Sequence, residues 1–324
     1  MLFKMHGLSD DGLELAPATE RNRRQALNLL LQDLSENDRG RQAAALAADA
    51  SALAGLFEAR KGGQLVGVVL ARTQPGGTAM IWPPRMASTA SPAHASRLLA
   101  AALDFLAGRG ITLVQALLPE GAARDAQVLR AAGFRRAADL SCQVALERSF
   151  PSRPAGGELA FEAYNEAHGQ DAPCHGSPEN HARMVSIIEL TYEGTRDYPE
   201  LNGLRSVADV LAGYGSADGF DSRRWLLVRH AGEDVGCLLL TDLSQPQDAV
   251  RQWELTYMGL APPARGKGWG LAIVRQAQWL ARHNAVSRLH LAVDSTNVPA
   301  LRIYEAAGFH AIARRAVFLK LLDR

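Results

Sequence analysis

Residues 253–271 read WELTYMGLAPPARGKGWGL, and the fold expected for the chain follows from them. Glu254, Thr256 and Met258 alternate with Leu255, Tyr257 and Gly259, the period of a strand buried on at least one face, and Pro262-Pro263 ends it. From Gly268 onward Leu271, Ile273, Val274, Ala277, Leu280 and Ala281 recur at helical spacing, so Arg265-Gly266-Lys267-Gly268-Trp269-Gly270 lies across a helix N-terminus. The first helical turn leaves N–H groups without partners, and the peptide dipoles make that end partly positive. Glycines at 266, 268 and 270 let a diphosphate approach those amides, while Arg265 and Lys267 add positive charge. A diphosphate ligand is the expectation; a glycine-rich turn carrying two solvated basic residues is the alternative.

Two familiar phosphate loops do not fit. A P-loop needs Ser or Thr directly after Gly-Lys, where Gly268 stands. A Rossmann turn needs Gly or Ala at its third fingerprint position, where Leu271 stands, although Asp294 after the next strand is the acid such a fold would want. The residues resemble instead the acetyl-CoA loop of the GNAT N-acetyltransferase superfamily, Arg/Gln-x-x-Gly-x-Gly/Ala, which Arg265, Gly268 and Gly270 match. A second match lies in residues 289–309, LHLAVDSTNVPALRIYEAAGF, with Asn297, Tyr304, Gly308 and Phe309 in the family's places. The resemblance implies an α/β fold of the α+β type, a central mixed and mostly antiparallel sheet flanked by helices. It also implies acetyl-CoA as co-substrate, without a metal.

The first half of the chain echoes the second. Ala131-Ala132-Gly133-Phe134 and Ala306-Ala307-Gly308-Phe309 are the same tetrapeptide 175 positions apart. That offset lays an apparent helix at 96–108 over 271–283 and a strand at 110–118 over 285–293. The hairpin formed by 57–60 and 64–72 matches 226–229 and 234–242. The chain therefore reads as two tandem GNAT-like domains, 1–148 and 158–324, joined by a linker at 149–157, SFPSRPAGG. Further helices are expected at 19–34 and 41–56, with a strand at 13–16. The first copy carries ASPAHA (90–95) in place of the glycine loop and Leu129 in place of Tyr304, so it is expected to be degenerate and to bind acetyl-CoA poorly. His94 reads as a surface residue at a helix start.

Composition narrows the function. Lys and Arg number 35 against 34 Asp and Glu, a net charge of +1, which gives no global pull toward nucleic acid or an anionic membrane. Three scattered cysteines, Cys142, Cys174 and Cys237, argue against a disulfide framework and a CxxC metal site, and favour a cytoplasmic protein. No signal peptide or spanning apolar run of about 18 residues is read. His168, Cys174, His175 and His181 match no common zinc spacing.

An alkyl amine, with a pKa near 10, must lose a proton before it can attack a thioester. Glu254, in the strand leading to the cofactor loop, is the candidate base; pairing with a basic neighbour is the alternative. The resemblance implies an oxyanion donor among Met258, Gly259 and Leu260, where Gly259 would ease a bulge. It implies cofactor contacts at Arg265, Gly266, Lys267, Gly268, Trp269, Gly270 and Asn297, and Tyr304 as general acid to the leaving thiolate. A helix at 178–191 and another near 206–211 flank a loop in which Arg196, Asp197, Tyr198 and Asn202 are implied acceptor contacts. The expected activity is acetyl transfer to a primary amine of a small molecule. A protein lysine or N-terminal acceptor, or a non-catalytic acetyl-CoA-binding regulator, stays open, as does a homodimer.

Overall fold

The computed structural model describes residues 12–48, 53–88, 91–165, 177–201, 203–216, 219–245 and 248–322. The chain divides into two compact units: unit 1 is Met1–Ala137 with Ala316–Arg324, and unit 2 is Ala138–Arg315.

Unit 1 contains β1 (Leu13–Pro17), α1 (Glu20–Leu30), α2 (Glu36–Ala48), β2 (Leu56–Lys61), β3 (Gln64–Gln74), β4 (Thr78–Met86), α3 (Pro92–Ala107), β5 (Leu113–Pro119) and α4 (Ala123–Ala131), after which β6 (Arg135–Leu146) leads into unit 2. Unit 2 repeats the order with β7 (Leu159–Ala163), α5 (Pro178–Tyr192), α6 (Val207–Gly215), β8 (Trp225–His230), β9 (Glu233–Asp242), β10 (Gln252–Leu260), α7 (Trp269–His283), β11 (Arg288–Asp294) and α8 (Val298–Ala306), after which β12 (His310–Leu321) leads back into unit 1. From β5 and β11 onward the bounds differ by a constant 175, and β4 and β10 differ by 174.

The strands of unit 1 run in the order β1-β2-β3-β4-β5-β12, those of unit 2 in the order β6-β11-β10-β9-β8-β7. The pairs β4–β5 and β10–β11 are parallel; the hairpin pairs and β6–β11 are antiparallel. The units thus differ from a linear division at 149–157. Residues 140–146 pair with Arg288–Asp294 inside unit 2, and the end of β12 lies beside β5 in unit 1, where Leu322 N–H donates to Thr112 O. Each parallel strand would otherwise present an open edge, and the last strand of the other sequence half covers it.

Alternation along the strands of unit 2 builds two cores. Val228, Leu238, Leu240, Trp253, Leu255, Leu289 and Leu291 pack under α7 and α8. On the other face Leu227, Cys237 and Leu239 pack under α5 and α6, against Ile187, Ile188 and Leu211. In unit 1, α3 and α4 cover one such core and α1 and α2 the other.

Three local expectations shift. The second helix covers 36–48 rather than 41–56, because Gly55 already lies against β3: Ala71 N–H donates to Gly55 O, and a Cβ at Gly55 would sit 2.0 Å from Ala71 O. α3 begins at Pro92 rather than residue 96, with Ser91 Oγ accepting from Ala93 N–H at 3.4 Å. His94, in its first turn, is buried rather than on the surface.

Candidate active site

β10 and β11 pair only from Gln252 to Glu254, opposite Arg288–His290, and then separate. One residue beyond, the register against β9 jumps between Leu255 and Tyr257, leaving Thr256 as a bulge. The bulge belongs at Thr256 and not at Gly259. Gly259 is small for another reason: a Cβ there would lie 2.7 Å from Cβ of Thr191 on α5. The extra residue also inverts the alternation. Trp253 and Leu255 face α7, whereas Tyr257, expected on their face, turns to the opposite one and joins the α5–α6 core.

Beyond Glu254 the side of β10 away from β9 has no strand in register with it. Ala261 N–H bonds to Val235 O on β9, so strand alternation points Gly259 toward β9 and Met258 and Leu260 away from it. Leu260 O on that open side is reached by Arg265 Nε at 3.0 Å.

After Pro262–Ala264 the chain enters the glycine loop. Gly266 and Gly268 both have φ of +78°, a region open mainly to glycine, and a Cβ at either would meet nothing within 4 Å. Gly268 is the N-cap of α7, and no side chain accepts from the helix's first amides. Space and unsatisfied donors therefore coincide, as a phosphate requires. The other loop residues do different work. Gly270 is buried where a Cβ would meet Ile303 Cδ1 at 2.8 Å, so it sets the approach of α8 rather than that of a ligand. Trp269 is buried beneath Lys267, whose Nζ lies 4.6 Å from the ring centroid, and packs against His230 at 4.5 Å. Arg265 does not point its charge into the loop. Besides Leu260 O, its guanidinium reaches Glu193 O at 2.7 Å and Thr191 O at 2.9 Å, at the end of α5.

Glu254 is half-buried on the face opposite α7, paired in register with His290. Burial alone pushes its carboxyl above the usual carboxylate range, and it has no hydrogen bond or ion pair among the described residues. His290 bonds to Gln252 Oε1 at 3.0 Å, and burial holds its pKa down. Tyr304, on α8, is buried against Phe309; burial, and secondarily the charge of Asp197, raise its pKa.

Asp197 ties the acceptor loop to the same place. Its Oδ1 accepts from Asp294 N–H at 2.9 Å, and the nearby Asn297 side chain acts against the rise of its pKa. Asn297 Oδ1 meanwhile caps α8 through Ala300 N–H at 3.3 Å. The residue as a whole is exposed, so the burial that raises the Asp197 pKa is that of its inward-turned carboxyl, reinforced by the neighbouring Asp294. Asp294 is buried, and its Oδ1 accepts from Thr296 N–H and Oγ1. Tyr198 has φ of 50°, strained backbone for so bulky a residue. Arg196 is exposed, with no hydrogen bond or ion pair among the described residues, and Asn202, like His168, Cys174 and His175, lies outside them.

Three tyrosines escape the sequence reading. Tyr257 O–H pairs with Thr191 Oγ1 at 2.6 Å, and its ring meets Tyr192 edge-on at 6.0 Å. Burial pushes Tyr192 up to about 12 and raises Tyr214 and Tyr257 as well, and the charge of Asp197 adds to the rise at Tyr192 and Tyr214. Tyr192, Tyr214 and Tyr257 are partly buried against the α5–α6 core, close enough to Asp197 for its charge to act on Tyr192 and Tyr214.

No group of three or more His, Cys, Asp or Glu among the described residues is arranged to hold a metal ion. No helix among them is long and apolar enough to cross a membrane.

Residues 189–309 match the acetyltransferase (GNAT) family. A mycothiol acetyltransferase of Sanguibacter keddieii is 36% identical over 91 residues, 28% of this chain and 29% of that protein. One of Beutenbergia cavernae is 29% identical over 194 residues, 60% of this chain and 62% of that protein. The chain thus aligns with less than two thirds of the length of either relative. The crystal structure of a GCN5-related N-acetyltransferase from Sphaerobacter thermophilus superposes over 97% of both chains with a TM-score of 0.65 at 14% identity, a likeness of fold alone.

Proposed function

The second unit of this chain carries a GNAT-family acetyltransferase domain, and from that premise we propose that it moves an acetyl group from acetyl-CoA to a primary amine of a small molecule. One observation carries the reading. The uncapped N-terminus of α7, with two left-handed glycines and empty space before them, opens beside the point where β10 leaves β11. That cradle fits a pyrophosphate, with the amides of residues 266–270 as donors and Lys267 as a mobile countercharge. Asn297, capping α8 close to Asp197, would stand by the donor's far end.

Bound there, acetyl-CoA supplies an activated acyl carbon and a thiol leaving group. The chain supplies the proton transfers and the charge stabilisation. Glu254, made more basic by burial, takes the proton from the incoming ammonium. The N–H groups of Met258 and Leu260 on the open edge of β10 are placed to stabilise negative charge developing on a carbonyl oxygen. Tyr304, kept protonated by burial, donates to the departing sulfur. Asp197 with Tyr192, Tyr214 and Tyr257 lines the acceptor side. Unit 1 takes no part in donor binding.

Thiol release from acetyl-CoA over a panel of amines, amino acids, polyamines, aminoglycosides and peptides tests this reading. A mycothiol-related amine heads the panel, because the two bacterial relatives bear that name. Turnover on one small amine, reduced about 100- to 10,000-fold in Tyr304→Phe without loss of fold, is expected. Unchanged turnover in that variant contradicts the role given to Tyr304.

A further inference from the structure

Segment 191–197 is fastened at both ends. At one end Arg265 grips Thr191 O and Glu193 O; at the other Asp197 Oδ1 is held by Asp294 N–H. The first anchor belongs to the loop after β10, the second to the last residue of β11. The segment therefore spans the two strands where they part, and it carries Tyr192 and Asp197 of the acceptor wall. Thr191 adds a third tie through Tyr257 O–H and by packing on Gly259.

We propose that Arg265 is a positioning residue that couples the donor loop to the acceptor wall; this rests on the donor site assigned above. Residues 265–268 lie between the short turn at Pro262–Ala264 and α7, with the amides at the α7 N-terminus uncapped by any side chain. Phosphate oxygens bridging those amides fix the loop, and with it the guanidinium that holds the end of α5. Ordering one segment lowers the entropic cost of ordering the other, so donor binding presets the acceptor wall. A guanidinium is required because three carbonyls from two elements are reached at once by a rigid fork, which a lysine ammonium on a flexible stem does not reproduce.

Hydrogen exchange of the full chain, with and without free coenzyme A as probe, tests the coupling. In the wild type, amides of both 266–270 and 191–198 are expected to slow on binding. In Arg265→Lys, 266–270 still slow while 191–198 no longer respond, and the acceptor KM at saturating acetyl-CoA rises about 5- to 150-fold, the usual span of coupling between sites. Arg265→Gln serves if the lysine form does not fold, and the wild-type pair is decisive by itself. Exchange at 191–198 that ignores coenzyme A in the wild type, or responds equally in the variant, overturns the proposal. Absence of slowing at 266–270 in the wild type overturns the donor-site reading, and the coupling falls with it.

Discussion

The N-termini of α3 and α7 occupy the same place in the two sequence halves and are finished in opposite ways. α3 is capped by its own Ser91 Oγ and begins with Pro92, which has no N–H to offer. α7 begins at a left-handed glycine with no side-chain cap. Both preceding strands pair in parallel for three residues, Thr78–Met80 with Leu113–Gln115 and Gln252–Glu254 with Arg288–His290, so the splay itself is common to both. What differs is the chemistry set into it. Met80 stands for Glu254, Pro84 without an amide stands for Met258, and buried Leu129 stands for Tyr304. One scaffold thus occurs once with its helix start uncapped and once with it capped, and the function proposed above assigns ligand capacity to those few positions rather than to the fold.

Three changes break or sharpen this contrast. The largest is Glu254→Gln, expected to lower kcat/KM by about 100-fold or more and to remove the acidic limb of its pH profile. In the wild type, activity falls as pH drops through the Glu254 pKa, because only the carboxylate accepts a proton, and that limb lies above the ordinary value of 4.5. The same shift sets a sign for stability. A carboxyl that binds its proton more tightly folded than unfolded stabilises the fold at low pH, and this is lost as pH rises through the folded value. Glu254→Gln should therefore unfold at higher temperature than the wild type near neutral pH, so lost activity is not lost folding. Next, Gly268→Asp puts a carboxylate where phosphate is expected; Asp tolerates left-handed backbone better than most residues, and acetyl-CoA affinity should fall at least about tenfold, or 1.4 kcal/mol. The smallest effect belongs to Ser91→Ala. It removes the cap of α3 at a cost of about 1 kcal/mol in unit 1, read by urea denaturation, and leaves turnover unchanged.

Much of this was legible because it is local. Hairpins, the start of α7 and the 175-residue offset rest on short patterns, and the offset laid the later elements of one half directly over those of the other. The exchange of β6 and β12 was not legible, since no residue pattern says which sheet a last strand will join. Within the site, the glycine loop and Tyr304 stand out by residue type. The fork of Arg265 does not, because two of its three carbonyl partners lie more than 70 residues earlier. Tyr257 was placed on the wrong face for a definite reason: strict alternation assumes no bulge, and Thr256 is one.

The contrast between the halves is tested most directly by calorimetric titration of acetyl-CoA into the full chain, run in parallel on Gly268→Asp and Ser91→Ala. The account predicts one site per chain, greatly weakened in Gly268→Asp and unaltered in Ser91→Ala. Two sites per chain, or binding that survives Gly268→Asp undiminished, would contradict it.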